Sequence, residues 1–196
     1  MIEPNSFGGF AISKRYLINL QTKEIIDKPN NTKLPYNLDT KVLIYEDRQK
    51  TWFFDIADFL KINNEAGFVI LMIAVSYLES NQQYRNGQSS RNGSTDAIEQ
   101  ALKRIFPSMT QSEIDIFIDG VRHGLFHDGI TKKGVFIDAS QTEIYKSDGQ
   151  SLVVNPHKFL DEVKKDLDSY ILTLRDIHNS IERSSFEIMW DTQKGI

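Results

Sequence analysis

The spacing of hydrophobic residues predicts a mainly helical protein. Residues 65–84 are apolar on nearly every side of a helix, so we expect this segment to lie centrally in a helical bundle. Residues 96–106 carry apolar side chains three and four positions apart, which indicates a second helix with one buried face. Thr110 and Glu113 have the spacing of a capping box, and the helix that they open runs to about residue 126.

The last predicted helix begins at the Asn155-Pro156 cap and carries an apolar seam. The seam steps by three and four over about three heptads and consists of Leu160, Val163, Leu167, Tyr170, Leu174, Ile177 and Ile181. Packing within the same bundle is the commoner reason for such a seam, and a dimer helix is the alternative. The apolar segment 186–190 that follows needs cover, either from this domain or from a partner.

The first fifty residues have a different pattern. Residues 15–20 and 41–45 are short and rich in β-forming residues, and a stretch with several turn-forming residues separates them. Residues 51–54 fit either a strand or the entry to a short helix. We therefore interpret residues 1–50 as a small β-containing N-terminal extension, followed by a helical domain at residues 51–196.

A second β-prone region follows the helix that begins at Thr110. Three short runs lie at residues 134–138, 142–146 and 152–155, and Asp148-Gly149 between the last two is a hairpin signal. The pattern predicts a small antiparallel meander, inserted at about residues 134–155 between the last two helices.

Composition excludes several classes of protein. The 196 residues include no cysteine, which excludes disulfide scaffolds, cysteine-ligated zinc sites and thiol nucleophiles. A net charge of -4 argues against a broad basic surface for duplex nucleic acid. The longest apolar run, residues 66–75, is shorter than the roughly 18 residues of a membrane span. We expect a soluble, cytoplasmic protein with no membrane partner and no secretory signal.

Residues 119–129 carry an unusual amount of polar chemistry for the end of a helix. The segment reads Asp119-Gly-Val-Arg122-His123-Gly-Leu-Phe-His127-Asp-Gly and contains two of the four histidines. Glycine in a helix interior costs about 1 kcal/mol relative to alanine. The clustered glycines therefore predict a close backbone approach, either to another helix or to a ligand.

Arg122 and His127 match the Arg-x4-His form of the motif of the HEPN superfamily, and the chain resembles that family. The residue after the arginine is typically Asn, Asp or His in the family, and here it is His123. The wider string Arg-His-Gly-Leu-Phe-His is similar to the Arg-x-Gly-Leu-x-His of prokaryotic HEPN-like proteins. The resemblance covers roughly residues 52–127 and the final helix, and it implies a mainly α, HEPN-like bundle. The N-terminal extension and the β insertion depart from the compact family pattern.

The resemblance implies metal-independent RNA cleavage that leaves a 2′,3′-cyclic phosphate and needs no cofactor. His127 is suited to act as general base on a ribose 2′-hydroxyl, since histidine titrates near neutral pH. Arg122 is suited to bind the scissile phosphate and stabilise its developing charge. His123 is expected to orient the phosphate or to act as the acid. Family members of this kind occur in toxin–antitoxin and phage-defence systems, so an antitoxin or operon partner is expected.

The spacing of the two motif residues poses a geometric problem. Residues five apart on a regular α-helix lie about 140° apart around the axis and about 7.5 Å along it. Arg122 and His127 therefore meet only if the helix frays at Gly124 or if two chains pair. HEPN proteins resemble the second case, so we expect a homodimer through the two helices that carry the motif.

Further residues around the motif are candidates for substrate binding or for support of the site. They are Glu79, Asp119, Tyr84, Arg85, Lys132 and Lys133. Glu79 is expected to orient Arg122 or His127, unless it is a solvated edge residue. Tyr84 and Arg85 flank a polar loop and are expected to contact RNA bases or phosphates, with a purely surface position as the alternative. Lys132 and Lys133 would add phosphate contacts, with an exposed basic turn as the commoner alternative. Asp119 is a candidate to support the site, and a surface salt bridge of Arg122 with Asp119 or Asp115 is the structural alternative.

Three alternatives to a nuclease stay open at this point. A non-catalytic HEPN-like module would bind RNA, a nucleotide or a protein partner through the same residues. A purely structural protein would use the apolar seam and the segment 186–190 for assembly. A metal site at His123 and His127, with Asp128 as third ligand, lacks the His-Glu-x-x-His signature because Gly124 stands where its glutamate would be.

Overall fold

The computed structural model describes residues 9–89, 93–132 and 134–192 and confirms a mainly helical fold with two small sheets. The helices are α1 (Leu38–Arg48), α2 (Asp55–Leu60), α3 (Gly67–Asn86), α4 (Ser94–Ile105), α5 (Gln111–Phe117), α6 (Pro156–Arg175) and α7 (Ser180–Thr192). The strands are β1 (Phe10–Ala11), β2 (Tyr16–Ile18), β3 (Ile25–Asp27), β4 (Thr32–Leu34), β5 (Val135–Ile137), β6 (Tyr145–Ser147) and β7 (Leu152–Val154).

Helix α3 lies at the centre of the bundle, as its apolar sequence predicts. It packs against α4, α6 and α7, and Ile70, Leu71, Ala74 and Leu78 on it are completely buried. A short 3-10 turn, Asn64–Ala66, leads into it, and the Asn63 side chain accepts from the Glu65 amide. Because α3 is central, side chains from the helices around it can meet at its surface.

Residues 41–45 are helical, so the prediction of a β-prone segment there is wrong. They lie in α1, whose N-cap residue Asn37 accepts a hydrogen bond from the Thr40 amide. The side chains of Val42, Ile44 and Tyr45 are buried where α1 packs on α6 and α7. Burial on a bundle outweighs the modest β propensity of such residues, which is itself mostly a packing effect. Residue 50 therefore falls inside a helical stretch.

Residues 51–54 also form helix rather than strand. They belong to a π-helical segment, Gln49–Phe54, which joins α1 to α2 without a break in the helical backbone. Among the described residues before α1, the β structure is the antiparallel sheet β1-β2-β3-β4. Arg15 beside this sheet donates to Asp27 in β3 at 2.6 Å, and the guanidinium lowers the pKa of that carboxyl.

The second sheet has the order β5-β7-β6, which corrects the predicted antiparallel meander. Strands β6 and β7 form the expected antiparallel hairpin, with Gly149 at φ +87° in its turn. Strand β5 pairs with β7 in parallel, with Val135 opposite Leu152. Val135, Leu152 and Val154 are all buried. Placing β5 beside β7 therefore gathers the buried residues of this sheet on its core side.

Two helices, α6 and α7, occupy the region predicted as one final helix and its tail. The seam residues from Leu160 to Leu174 are buried in α6, whereas Ile177 and Ile181 lie beyond its end and are largely exposed. The seam thus packs within the bundle. Phe186 and Trp190 of α7 are buried too, so the domain itself covers segment 186–190. None of the helices in the described residues is long and apolar enough to cross a membrane.

Candidate functional site

The helix that carries the motif winds as a π-helix in its second half. A complete capping box at Thr110 and Glu113 opens α5, as predicted. The chain then continues without interruption through two π-helical segments, Ile118–Arg122 and Gly124–Asp128. The His123 amide donates to the Ile118 carbonyl, five residues back, which is the defining bond of this rare winding. We call residues 111–128 the motif helix.

The π-helical winding brings Arg122 and His127 together within one chain. Because the backbone hydrogen bonds of a π-helix join residues five apart, these two side chains lie on the same face of the helix. Nη1 of Arg122 is 3.4 Å from Nε2 of His127. Neither a frayed helix at Gly124 nor a second chain is needed for the pair to form.

Gly120 and Gly124 allow the chain after the motif helix to fold back onto it. The Lys132 amide donates to the Gly120 carbonyl at 3.0 Å. A Cβ on Gly120 would lie 2.6 Å from the Lys132 carbonyl oxygen, and one on Gly124 would lie 3.1 Å from the Lys132 nitrogen. The close approach that the glycines predict is therefore real, but it is made by the returning segment and not by a helix or a ligand.

Two side chains from other helices hold the Arg122 guanidinium. Its Nη2 donates to Oγ of Ser94, the first residue of α4, at 2.9 Å. The same nitrogen lies 3.9 Å from Oε2 of Glu79 on α3. Both contacts are partly buried, which favours a fixed orientation of the guanidinium. The predicted role of Glu79 in orienting Arg122 fits this geometry, whereas Ser94 was not among the predicted site residues.

The two histidines of the motif have different neighbours. Nδ1 of His123 lies 3.5 Å from Oδ1 of Asp119, so Asp119 contacts the first histidine of the motif. The rings of His123 and His127 are 6.0 Å apart, and His127 is exposed to solvent. A guanidinium can only donate hydrogen bonds, so its contact with Nε2 assigns the proton of a neutral His127 to Nδ1.

A cleft of about 260 Å³ opens between α3 and the motif helix. Arg122 and Phe126 line it from the motif helix, and Phe126 is 43% exposed. The lining from α3 consists of Ser76, Glu79, Ser80 and Gln83. The cleft thus combines one cation, one accessible aromatic ring and a row of polar side chains beside the exposed imidazole of His127.

Tyr84 and Arg85 are not part of this site, so the expectation that they contact RNA is wrong. Tyr84 is buried, and its ring stacks on Phe186 with centroids 5.1 Å apart. Arg85 donates to Asn81 at 2.8 Å and lies 4.1 Å above the ring of Tyr170. Both residues end α3 on the side that faces the bundle, because helix phase and not proximity to a loop decides which way a side chain points.

The two lysines after the motif are placed as follows. Lys132 forms an ion pair with Asp128 at the end of the motif helix, and both side chains are largely exposed. Lys133 lies outside the described residues. The charge of Lys132 is thus paired with Asp128, the residue after His127.

The metal alternative finds no support in the described part of the chain. Within it, no cluster of three or more histidine, aspartate or glutamate side chains has the arrangement that could hold a metal ion. His123 is directed to Asp119 instead, and Asp128 is paired with Lys132.

Comparison with known proteins identifies no relative of this chain. No family model, no curated protein and no solved structure matches it. The function of the chain is therefore inferred from the chemistry of its own residues.

Proposed function

We propose that the chain is a metal-independent endoribonuclease of the HEPN type. The observation that carries this proposal is the pairing of Arg122 with His127 at 3.4 Å beside the cleft. A cation and an imidazole at this separation are able to act on one phosphodiester, the first on the phosphate and the second on the neighbouring 2′-hydroxyl.

The reaction begins when the Arg122 guanidinium turns from Nε2 of His127 to the scissile phosphate, and the freed Nε2 takes the proton from the 2′-hydroxyl of the substrate ribose. The 2′-oxygen attacks the adjacent phosphorus, and Arg122 stabilises the charge that develops on the non-bridging oxygens. The bond to the 5′-oxygen of the next nucleotide breaks, and a protonated His123 donates the proton that this leaving oxygen requires. The products are a 2′,3′-cyclic phosphate and a 5′-hydroxyl end.

A non-catalytic HEPN-like module that binds RNA, a nucleotide or a protein partner is the second candidate. The observation that favours it is the engagement of the Arg122 guanidinium by Ser94, Glu79 and His127 within the chain. An arginine held by three neighbours has a fixed direction, which suits binding as well as catalysis. The two candidates differ in whether the RNA is cut.

The proposal includes a homodimer with the motif helices facing each other, in a toxin–antitoxin or phage-defence setting. Since Arg122 and His127 meet within one chain, the second copy would widen the RNA-binding surface and is not required to complete the pair. Sedimentation equilibrium of the purified chain tests the dimer. A monomer that cleaves RNA would remove the dimer from the proposal and leave the assignment of the pair intact.

The nuclease is tested by incubating a mixed RNA pool with the chain in EDTA. We compare the wild type with His127→Ala and Arg122→Ala, and His178→Ala serves as the control because His178 is an exposed histidine outside the site. Removal of a general base typically costs about 10²–10⁴-fold in rate. We expect loss of cutting in the two site variants alone, with cyclic-phosphate and 5′-hydroxyl ends on the wild-type products.

Two outcomes would decide against the nuclease. Cutting by His127→Ala at the wild-type rate would remove that residue from the reaction. RNA binding by all four proteins without any cutting would favour the binding module instead. Circular dichroism of each variant confirms that a loss of cutting is not a loss of fold.

A further inference from the structure

The α3 side of the cleft presents mainly hydrogen-bond acceptors to a ligand. The Ser76 hydroxyl donates to the Met72 carbonyl at 2.8 Å, and the Ser80 hydroxyl donates to the Tyr77 carbonyl at 3.3 Å. A hydroxyl has one proton, so both oxygens are left to accept. These bonds back to the preceding helical turn fix the two serines in this role.

Glu79 lies between the two serines and reinforces this character. An ionised carboxylate only accepts hydrogen bonds and has about four lone-pair sites. The 3.9 Å approach of Arg122 to Oε2 leaves the carboxylate able to accept from a ligand as well. Gln83 on the same wall can donate or accept, so it is Glu79 and the two serines that favour a ligand with N–H donors.

The motif-helix side of the cleft adds a stacking surface and a cation. Phe126 is 43% exposed, and Arg122 lines the same cleft. Nucleobases stack on exposed aromatic rings, and guanidinium groups bind phosphates. The cleft, at about 260 Å³, lies below the roughly 300–1,000 Å³ of sites for drug-sized ligands, so it suits one small, flat group.

We propose that this cleft is a subsite for a single nucleobase that carries an exocyclic amino group. The base stacks on Phe126 and directs its amino group to Glu79 and the serines, while Arg122 contacts the phosphate of the same nucleotide. Uracil is disfavoured because it has a carbonyl oxygen where cytosine has its amino group. That oxygen would face the acceptor oxygens of Glu79 and the serines. This inference rests on the proposed ribonuclease and names the base preference of that site.

The test measures binding separately from cleavage. The probes are 2′-deoxynucleoside 3′-monophosphates, which lack the 2′-hydroxyl and cannot react. Deoxycytidine and deoxyuridine monophosphates form a matched pair that differs in one amino group and one protonated ring nitrogen. Hydrogen bonds to charged groups are among the stronger ones in proteins. We expect calorimetric titration to show at least about tenfold tighter binding of the cytidine probe, which is about 1.4 kcal/mol.

A second matched pair separates the amino group from the size of the base. Deoxyinosine 3′-monophosphate is the guanosine probe without its 2-amino group. We expect the guanosine probe to bind more tightly than the inosine probe. Glu79→Gln, which replaces one acceptor oxygen by an N–H₂ donor, is expected to reduce both preferences to less than about threefold.

Phe126→Leu tests the stacking surface. We expect it to weaken all four probes to a similar degree, by about five- to hundredfold, as for the loss of one stacked base. Phe136→Leu is the matched control, because Phe136 is a 60% exposed phenylalanine on β5 outside the cleft. It is expected to leave every affinity unchanged. Thermal unfolding verifies that both variants fold.

The inference and the proposed nuclease fail in different ways. Equal binding of the cytidine and uridine probes, or unchanged binding by Phe126→Leu, overturns the base subsite even if the chain cleaves RNA. Selective binding by a chain that never cuts supports the base subsite and contradicts the nuclease.

Discussion

Two buried tyrosines offer a matched test of hydrogen bonding in the core. Tyr45 and Tyr170 are fully buried, and their ring centroids lie 6.4 Å apart at an interplanar angle of 88°. The Tyr45 hydroxyl accepts from Nδ2 of Asn81 at 3.1 Å. The Tyr170 hydroxyl has no hydrogen-bond partner among the described residues. Burial raises the pKa of both phenols, so both are neutral across the working pH range.

Removal of each hydroxyl is therefore expected to act in opposite directions. Tyr45→Phe leaves the Asn81 donor buried without this acceptor, which costs about 1–3 kcal/mol of the free energy of unfolding. Tyr170→Phe removes a buried polar group that makes no compensating bond and is expected to stabilise the fold by about 1 kcal/mol. Both substitutions remove one oxygen atom and leave the ring in place. The loss of packing is therefore nearly the same in the two variants and contributes little to the difference between them.

Urea unfolding followed by circular dichroism measures the two changes. With an unchanged slope, the shift of the midpoint gives the change in the free energy of unfolding directly. The Tyr170→Phe midpoint is expected above the wild type and the Tyr45→Phe midpoint below it. Destabilisation of similar size in both variants would falsify the reasoning, since it would show that the Tyr170 hydroxyl is bonded in solution.

Three further outcomes are expected. Gly120→Ala places a methyl group against the Lys132 carbonyl, so urea unfolding should show a loss of about 1–3 kcal/mol, and an unchanged midpoint would contradict the close approach. Burial lowers the pKa of His157, so the neutral imidazole favours the folded state. The free energy of unfolding should therefore fall as the pH drops below about 6.5, and less steeply in His157→Gln. Equal dependence on pH in the two proteins would refute this. Ser94→Ala frees the Arg122 guanidinium, so the rate of RNA cleavage should drop about tenfold or more at unchanged thermal stability, with recovery in Ser94→Thr.

The sequence was most informative where local rules agree with packing. The Thr110 capping box and the Asn155 cap mark helix starts in the structure as in the prediction. These signals are local, since the hydrogen bonds involved span two or three residues. Segment 41–45 was misjudged because its β-branched and aromatic residues are buried by helices more than a hundred residues away, which no local pattern reports.

The motif pair of the candidate site was predictable, but its geometry and several of its other residues were not. The motif identified Arg122 and His127, yet their contact depends on π-helical winding, which residue spacing alone does not reveal. Ser94 is 28 residues from Arg122, so only the folded chain shows that it holds the guanidinium. The cleft residues Phe126 and Ser76 were missed for the same reason, since they meet through the packing of two helices.

At this site, the number of residues between Arg122 and His127 and the type of helix that carries them depend on each other. An α-helical turn closes between residues four apart and a π-helical turn between residues five apart. A related chain that lost one residue between Arg122 and His127 and returned to α winding would keep the two side chains together. Arg-x3-His on an α-helix and Arg-x4-His on a π-helix thus give the same arrangement of the two side chains. A sequence search that requires one fixed spacing between the arginine and the histidine would therefore miss proteins that form the same pair on a helix of the other type.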